Sequence, residues 1–99
     1  MINIGINGLG RIGRVLLRQI LNSHKFKLVA VNDINSDINN IAYLIKYDST
    51  YGRLKANVSV KGKYIHIGKN KIKFSNKDEV DKVNWKNSKI DFLIDSSGV

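Results

Sequence analysis

The stretch INGLGRIGR, Ile6 to Arg14, places Gly8, Gly10 and Gly13 in a G-x-G-x-x-G spacing between two contrasting patterns. Upstream, Ile2, Ile4 and Ile6 alternate with Asn3 and Gly5, a period-two pattern that predicts a short strand ending at Asn7. Downstream, Gly13, Leu16, Leu17 and Ile20 recur at i, i+3, i+4 and i+7 and predict an amphipathic helix from Arg11. A glycine turn between a strand and a helix is the context a phosphate cradle requires. Gly8 permits the tight turn, Gly10 lets the backbone approach a pyrophosphate, and Gly13 lets the helix pack closely on the strand. The helix start, with the N–H groups of Arg11 and Ile12, then offers unpaired donors and a positive dipole end to the anion. A purely structural turn that holds no ligand is the competing reading.

The next apolar run, Leu28-Val29-Ala30-Val31, is uninterrupted and rich in β-branched residues, as in a strand covered on both faces. It stops at Asn32-Asp33, and Asp33 lies about 20 residues beyond the last glycine, where a carboxylate accepts the hydroxyls of an adenosine ribose. A carboxylate there repels a 2′-phosphate, so the pattern favours NAD over NADP. Asp33 as a plain turn residue is the alternative. Asn35 or Ser36 is the expected cap of a second helix that buries Ile38, Ile41, Ala42 and Ile45. Asp48 to Gly52 is turn-like. Residues Asn57 to Phe74 alternate at period two with turn points at Gly62 and Gly68, which predicts a small antiparallel meander. A short helical turn is expected over Asp78–Val83 and a last buried strand over Ile90–Asp95. Sequential strands joined by helices imply an α/β fold with a parallel, Rossmann-type sheet, here its N-terminal half, carrying a small antiparallel β insertion.

Composition sets the remaining bounds. A chain of 99 residues makes one domain at most. No apolar run approaches the roughly 20 residues of a membrane span, and the N-terminus lacks the pattern of a signal peptide, so a cytoplasmic location is expected. There is no cysteine, which excludes disulfides, thiolate metal sites and a catalytic thiol within these residues. The net charge of +9 raises a nucleic-acid reading. Lys, Asn and Ile, all with AT-rich codons, make up well over a third of the chain, and no ladder of aromatics accompanies the lysines. A solvated basic hairpin around Lys55 to Lys73 therefore accounts for the charge better than a nucleic-acid groove does.

Some polar residues stay open between two readings. The stripe Arg11, Arg14 and Arg18 is either a solvated or subunit-facing helix face or a set of direct cofactor contacts. Ser96 and Ser97 either set backbone groups near the nicotinamide half or form a plain loop. His24 and His66 have no partner at metal or triad spacing and read as structural or surface residues.

Taken together, INGLGRIGR, then VND, then YLIKYDSTYGRL, a tryptophan at position 85 and DSSGV resemble phosphorylating glyceraldehyde-3-phosphate dehydrogenase along the whole chain. The resemblance implies one NAD-binding (Rossmann) domain over residues 1–99, truncated, with the catalytic domain absent from the chain. Carried over, Asn7, Gly8, Gly10, Arg11 and Ile12 correspond to the pyrophosphate and ribose neighbourhood, and Asn32 and Asp33 to the adenosine-ribose site. Lys77 stands where the family usually has an arginine whose backbone carbonyl contacts adenine. Ser96, Ser97 and Gly98 correspond to a segment that runs beneath the cofactor. Tyr51 departs from the family, which commonly has histidine there.

The implied activity is NAD-dependent oxidation and phosphorylation of an aldehyde in glycolysis, by a homotetramer acting on a triose phosphate. That chemistry needs a cysteine thiol to attack the aldehyde, a histidine base and a substrate domain. None of these groups is in this chain, which is expected to bind NAD and to be inactive alone. An erythrose-4-phosphate dehydrogenase relative shares the same N-terminal pattern. A non-catalytic NAD- or RNA-binding remnant is the alternative from another class.

Overall fold

The structure, a computed structural model, describes residues 1–34, 37–48 and 52–97. Its elements run β1 (Ile2–Asn7), α1 (Arg11–Leu21), β2 (Phe26–Asn32), α2 (Ile38–Lys46), β3 (Tyr47–Asp48), β4 (Gly52–Arg53), β5 (Val58–Lys61), β6 (Tyr64–Ile67), β7 (Asn70–Ser75) and β8 (Phe92–Asp95). Two single 3-10 turns, Val80–Lys82 and Trp85–Ser88, lie between β7 and β8. One six-stranded sheet has the order β5-β6-β7-β2-β1-β8, and β3 and β4 form a separate two-stranded hairpin.

The predicted alternation places the core. In β1 the pairs Ile4↔Leu28 and Ile6↔Val31 lie side by side on β1 and β2, with a register shift between Ile4 and Gly5. Without that shift, Leu28 and Val31, three residues apart, would face opposite ways. With it, both stay buried on the same face as Ile4 and Ile6. Leu17 and Ile20 of α1 and Ile41 and Ile45 of α2 belong to the same buried cluster, along with Ile65, Ile67, Ile72 and Phe74. The opposite face is crossed by the 3-10 segment, where the Trp85 ring lies against Gly5 so closely that a Cβ there would stand 3.0 Å from it.

The antiparallel meander forms as expected, β5 pairing with β6 and β6 with β7, and it is joined to the main sheet. Its last strand, β7, pairs in parallel with β2 through Ala30↔Lys73, Val31↔Phe74 and Asn32↔Ser75. It is therefore the third parallel strand of the main sheet, and β5 and β6 extend the sheet's edge. Ile72 and Phe74 are what draw it in, since they are buried on the helix side next to Val31. Period-two alternation reports which face of a strand is buried and carries no information on which strand lies beside it.

The cap of α2 is also corrected. Asp37, not Asn35 or Ser36, is the N-cap, its Oδ1 accepting from Asn39 N at 3.0 Å and Asn40 N at 3.2 Å. Asn35 and Ser36 lie outside the described residues, as does Tyr51. At the other end of α2 the guanidinium of Arg18 donates to Ile45 O at 3.1 Å and Gly52 O at 2.8 Å. Arg14 similarly donates to Leu9 O at 3.2 Å. Arg14 and Arg18 thus tie α1 to the backbone of neighbouring segments. Arg18→Met should leave the carbonyls of Ile45 in α2 and Gly52 in β4 without a charged donor and lower stability by about 1.5–3 kcal/mol. Urea denaturation would measure it, and a loss below about 0.5 kcal/mol, the range of ordinary surface substitutions, would show that the tie is not structural. Among the described residues no helix is long and apolar enough to cross a membrane.

Candidate dinucleotide site

The glycine turn closes by backbone contacts that only glycine permits. Gly8 sits at φ +96°, and a Cβ on it would meet the Ser97 backbone at 2.6 Å. A Cβ on Gly13 would run into the carbonyl of Gly8 and stand 2.9 Å from Ser96 Oγ. Gly10 differs, since a Cβ there would meet nothing within 4 Å. It is the N-cap of α1 and no side chain caps the helix. The donors of the first turn, including the N–H groups of Arg11 and Ile12, have no intrahelical acceptor and open on this space.

Opposite the turn, Asp33 reaches back to it: its Oδ2 accepts the Leu9 N–H at 2.6 Å. Asp33 is itself held by its own N–H, which donates to Ser75 O at 3.0 Å. The carboxylate at the tip of β2 and the glycine loop after β1 are therefore one mechanical unit. Sequence spacing alone pointed only to the ribose.

The two asparagines behave differently from the residues around them. Asn32 is 2% exposed and Asn7 is 6% exposed. Asn32 Nδ2 donates to Asn7 Oδ1 at 2.8 Å and to Lys77 O at 3.0 Å. Its Oδ1 accepts from Ser75 Oγ and from Lys77 N, each at 2.8 Å. Asn7 Nδ2 continues the chain to Asp95 Oδ1 at 3.1 Å. One amide network thus joins the ends of β1, β2, β7 and β8 and the segment after β7. Both side chains serve the frame.

At the end of β8, Ser96 Oγ donates to Gly8 O at 2.7 Å and Asn7 O at 3.2 Å, and Ser96 N donates to Asn7 O at 2.8 Å. Ser97 donates to Asp95 Oδ1 from its hydroxyl at 2.6 Å and from its backbone at 3.1 Å. These two bonds, with the Asn7 amide, hold the Asp95 carboxyl below the usual carboxylate range. Asp95 is a component that sequence reasoning missed. Its position, one residue before Ser96 at the carboxyl end of a parallel strand, was the signal available.

The residues that the family resemblance assigned to the cofactor, Gly98 excepted, line one crevice of about 620 Å³ along the carboxyl ends of β1, β2 and β8, whereas Gly13, Arg14 and Arg18 do not. Gly98 lies outside the described residues. Ile34, Asp78 and Asp95 complete the lining. The crevice fits a dinucleotide in three respects: open space at Gly10, uncapped helix donors beside it, and a carboxylate across from them. Its position outside the strand ends, between β1 and strands reached in opposite directions, is the switch point at which open parallel sheets bind ligands.

Comparison with known proteins agrees with this geometry. Residues 2–99 match the family model described as glyceraldehyde 3-phosphate dehydrogenase, NAD binding domain. Glyceraldehyde-3-phosphate dehydrogenase 2 of Schizosaccharomyces pombe is 41% identical over 96 residues, covering 97% of this chain and 29% of its own length. Glyceraldehyde-3-phosphate dehydrogenase 2 of Drosophila melanogaster is 41% identical over 100 residues, covering 100% of this chain and 30% of its own. Glyceraldehyde-3-phosphate dehydrogenase 1 of Caenorhabditis elegans is 40% identical over 102 residues, with 98% and 30% covered. The chain spans under a third of the length of these relatives.

Proposed function

The chain belongs to the glyceraldehyde 3-phosphate dehydrogenase NAD-binding-domain family, and from that premise we propose that its crevice holds NAD in an extended pose along the strand ends. The observation that carries the reading is the facing pair of Gly10, with open space before the helix donors, and Asp33 across the crevice. The N–H groups of Arg11 and Ile12 bind the pyrophosphate, and Asn7, Gly8 and Gly10 form the turn that lets it approach them. Asp33 accepts the adenosine-ribose hydroxyls, and Asn32 orients it by fixing the end of β2. The Lys77 carbonyl, already an acceptor for Asn32 Nδ2, retains a second lone pair for adenine. Ser96, Ser97 and Gly98 form the floor beneath the nicotinamide half.

Bound NAD supplies an acceptor for oxidation of an aldehyde, and this chain's residues bind and orient it. The whole enzyme we infer is a cytoplasmic homotetramer that oxidises and phosphorylates a triose phosphate in glycolysis. These residues contain no cysteine, so the attacking thiol of that reaction comes from outside them. The chain alone is expected to bind NAD without turning over an aldehyde.

Asp33 provides the test. Charge-assisted hydrogen bonds are worth about 1.5–3 kcal/mol, so Asp33→Ala should weaken NAD binding at least about tenfold. The same change removes the charge that disfavours a 2′-phosphate, so the preference for NAD over NADP should fall. Calorimetric titration of both cofactors against wild type and variant measures each effect. Unchanged NAD affinity sinks the ribose assignment. Equal loss for NAD and NADP would mean that Asp33 acts only by holding Leu9.

A further inference from the structure

A second cavity, of about 400 Å³, is lined by Ala30 of β2, residues 73–75 of β7, the β5–β6 turn and the 3-10 segment. Its lining residues include Lys63, Lys73, Lys77 and Lys82 and, among the described residues, no acidic one. Lys82 is already paired, with Asp78 at 3.2 Å and Glu79 at 3.9 Å. Lys71, the neighbour of Lys73 on the same face of β7, is parked over the Tyr64 ring at 4.2 Å. By contrast, the ammonium groups of Lys63, Lys73 and Lys77 have no partner among the described residues, and neither have the side chains of Asn84 and Ser88 on the opposite wall.

The polar side chains of the dinucleotide crevice are largely occupied in holding the loops together. Lys63, Lys73, Lys77, Asn84 and Ser88 of this second cavity have side chains with no partner among the described residues. Like charges around one concavity repel one another, and an anion between them relieves that repulsion as it gains donors. The position is also built rather than incidental: Lys63 O accepts Phe74 N at 2.7 Å, which fixes the turn over the cavity, and the Lys77 backbone is clamped by Asn32. The volume falls within the range of small-molecule pockets.

We propose that this cavity is an anion site for a small phosphate-bearing molecule, a phosphate monoester or a diphosphate, separate from the dinucleotide crevice and sharing only the Lys77 segment with it. Lys63 and Lys73 supply the charge, and Asn84 and Ser88 donate to the remaining oxygens.

Inorganic pyrophosphate is the probe, titrated into the uniformly labelled chain at low salt and followed by amide chemical shifts. Pyrophosphate also suits the glycine turn, so two groups of amides are read separately: Gly62, Lys63 and Ser88 for this cavity, and Gly10, Arg11 and Ile12 for the crevice. Saturable shifts at the first group are expected. A Lys63→Gln, Lys73→Gln double variant should weaken them at least tenfold while leaving the second group's response within twofold. A Lys55→Gln, Lys61→Gln double variant, with the same change in net charge outside the cavity, should leave both groups unchanged. The single change Lys63→Gln, at an exposed turn, repeats the test should the double variant lose its native spectrum. Absence of saturable shifts at Gly62 and Ser88 overturns the proposal. So does equal weakening by the two double variants, which would show general electrostatic attraction in place of a site.

Discussion

Gly13→Ala should abolish cofactor binding and lower the melting temperature by 10 °C or more. The added methyl group would occupy the position of the Gly8 carbonyl and stand 2.9 Å from Ser96 Oγ. Neither neighbour has room to move. The Gly8 N–H is tied to Asn32 O at 2.7 Å, and Ser96 is tied to Asn7 and Gly8 by three bonds. The helix must therefore shift away from β1, which carries the N–H groups of Arg11 and Ile12 with it. Overpacking of this kind costs about 1–3 kcal/mol or more. For a chain of this size each 1 kcal/mol lowers the melting temperature by roughly 4–8 °C. Calorimetry of the variant and an NAD titration at a temperature where it remains folded measure the two effects. A variant that melts like wild type, or binds NAD within threefold of it, would show that the close approach at Gly13 is not needed.

Asn32→Leu should be the most destabilising of the near-isosteric substitutions considered. The side chain is 2% exposed and takes part in four hydrogen bonds, to Asn7, Ser75 and both backbone groups of Lys77. Leucine keeps the volume and leaves those partners without their bonds. Each buried unsatisfied group costs about 1–3 kcal/mol, and since neighbours compensate in part the sum should come to about 3–5 kcal/mol. A domain of this kind has only about 5–15 kcal/mol in all, so the variant should be close to unfolding at 37 °C. Urea denaturation of wild type and variant gives the number. A loss under about 1 kcal/mol would mean that water replaces the amide network readily.

Both predictions concern residues that the sequence marked for a ligand and that the structure engages first in the frame. Gly8, Gly10 and Gly13 were legible because their spacing sits between a period-two and a 3.6-period pattern. Asp33 was legible by its distance from them. Its bond to Leu9 N was not, because a hydrogen bond between residues far apart in sequence depends on two strands lying side by side. The arginine stripe on α1 shows the same limit. Helical periodicity placed Arg11, Arg14 and Arg18 on one side of the helix, and only the packing of α2 and the β3–β4 hairpin against it turned Arg18 into a cap for α2.

The sheet divides along the same line. Alternation and apolar runs located the strands, since burial of one face or two leaves a mark on every residue of a strand. Which strand pairs with which leaves no such mark. The pairing of β7 with β2, which joins the expected meander to the main sheet, depends on loop reach and on Ile72 and Phe74 finding the same core as Val31.

By itself the sequence determined the strand–turn–helix unit, the glycines within it, the acidic tip of β2, the family, and the lack of a thiol, because each is a property of local pattern or composition. The tertiary structure alone decided the strand order, the amide network through Asn7 and Asn32, the place of Asp95, and the gathering of lysines from a turn, a strand and a loop around one cavity. These depend on contacts between segments distant in the chain, and no local pattern records the energy of a contact with a partner it does not contain.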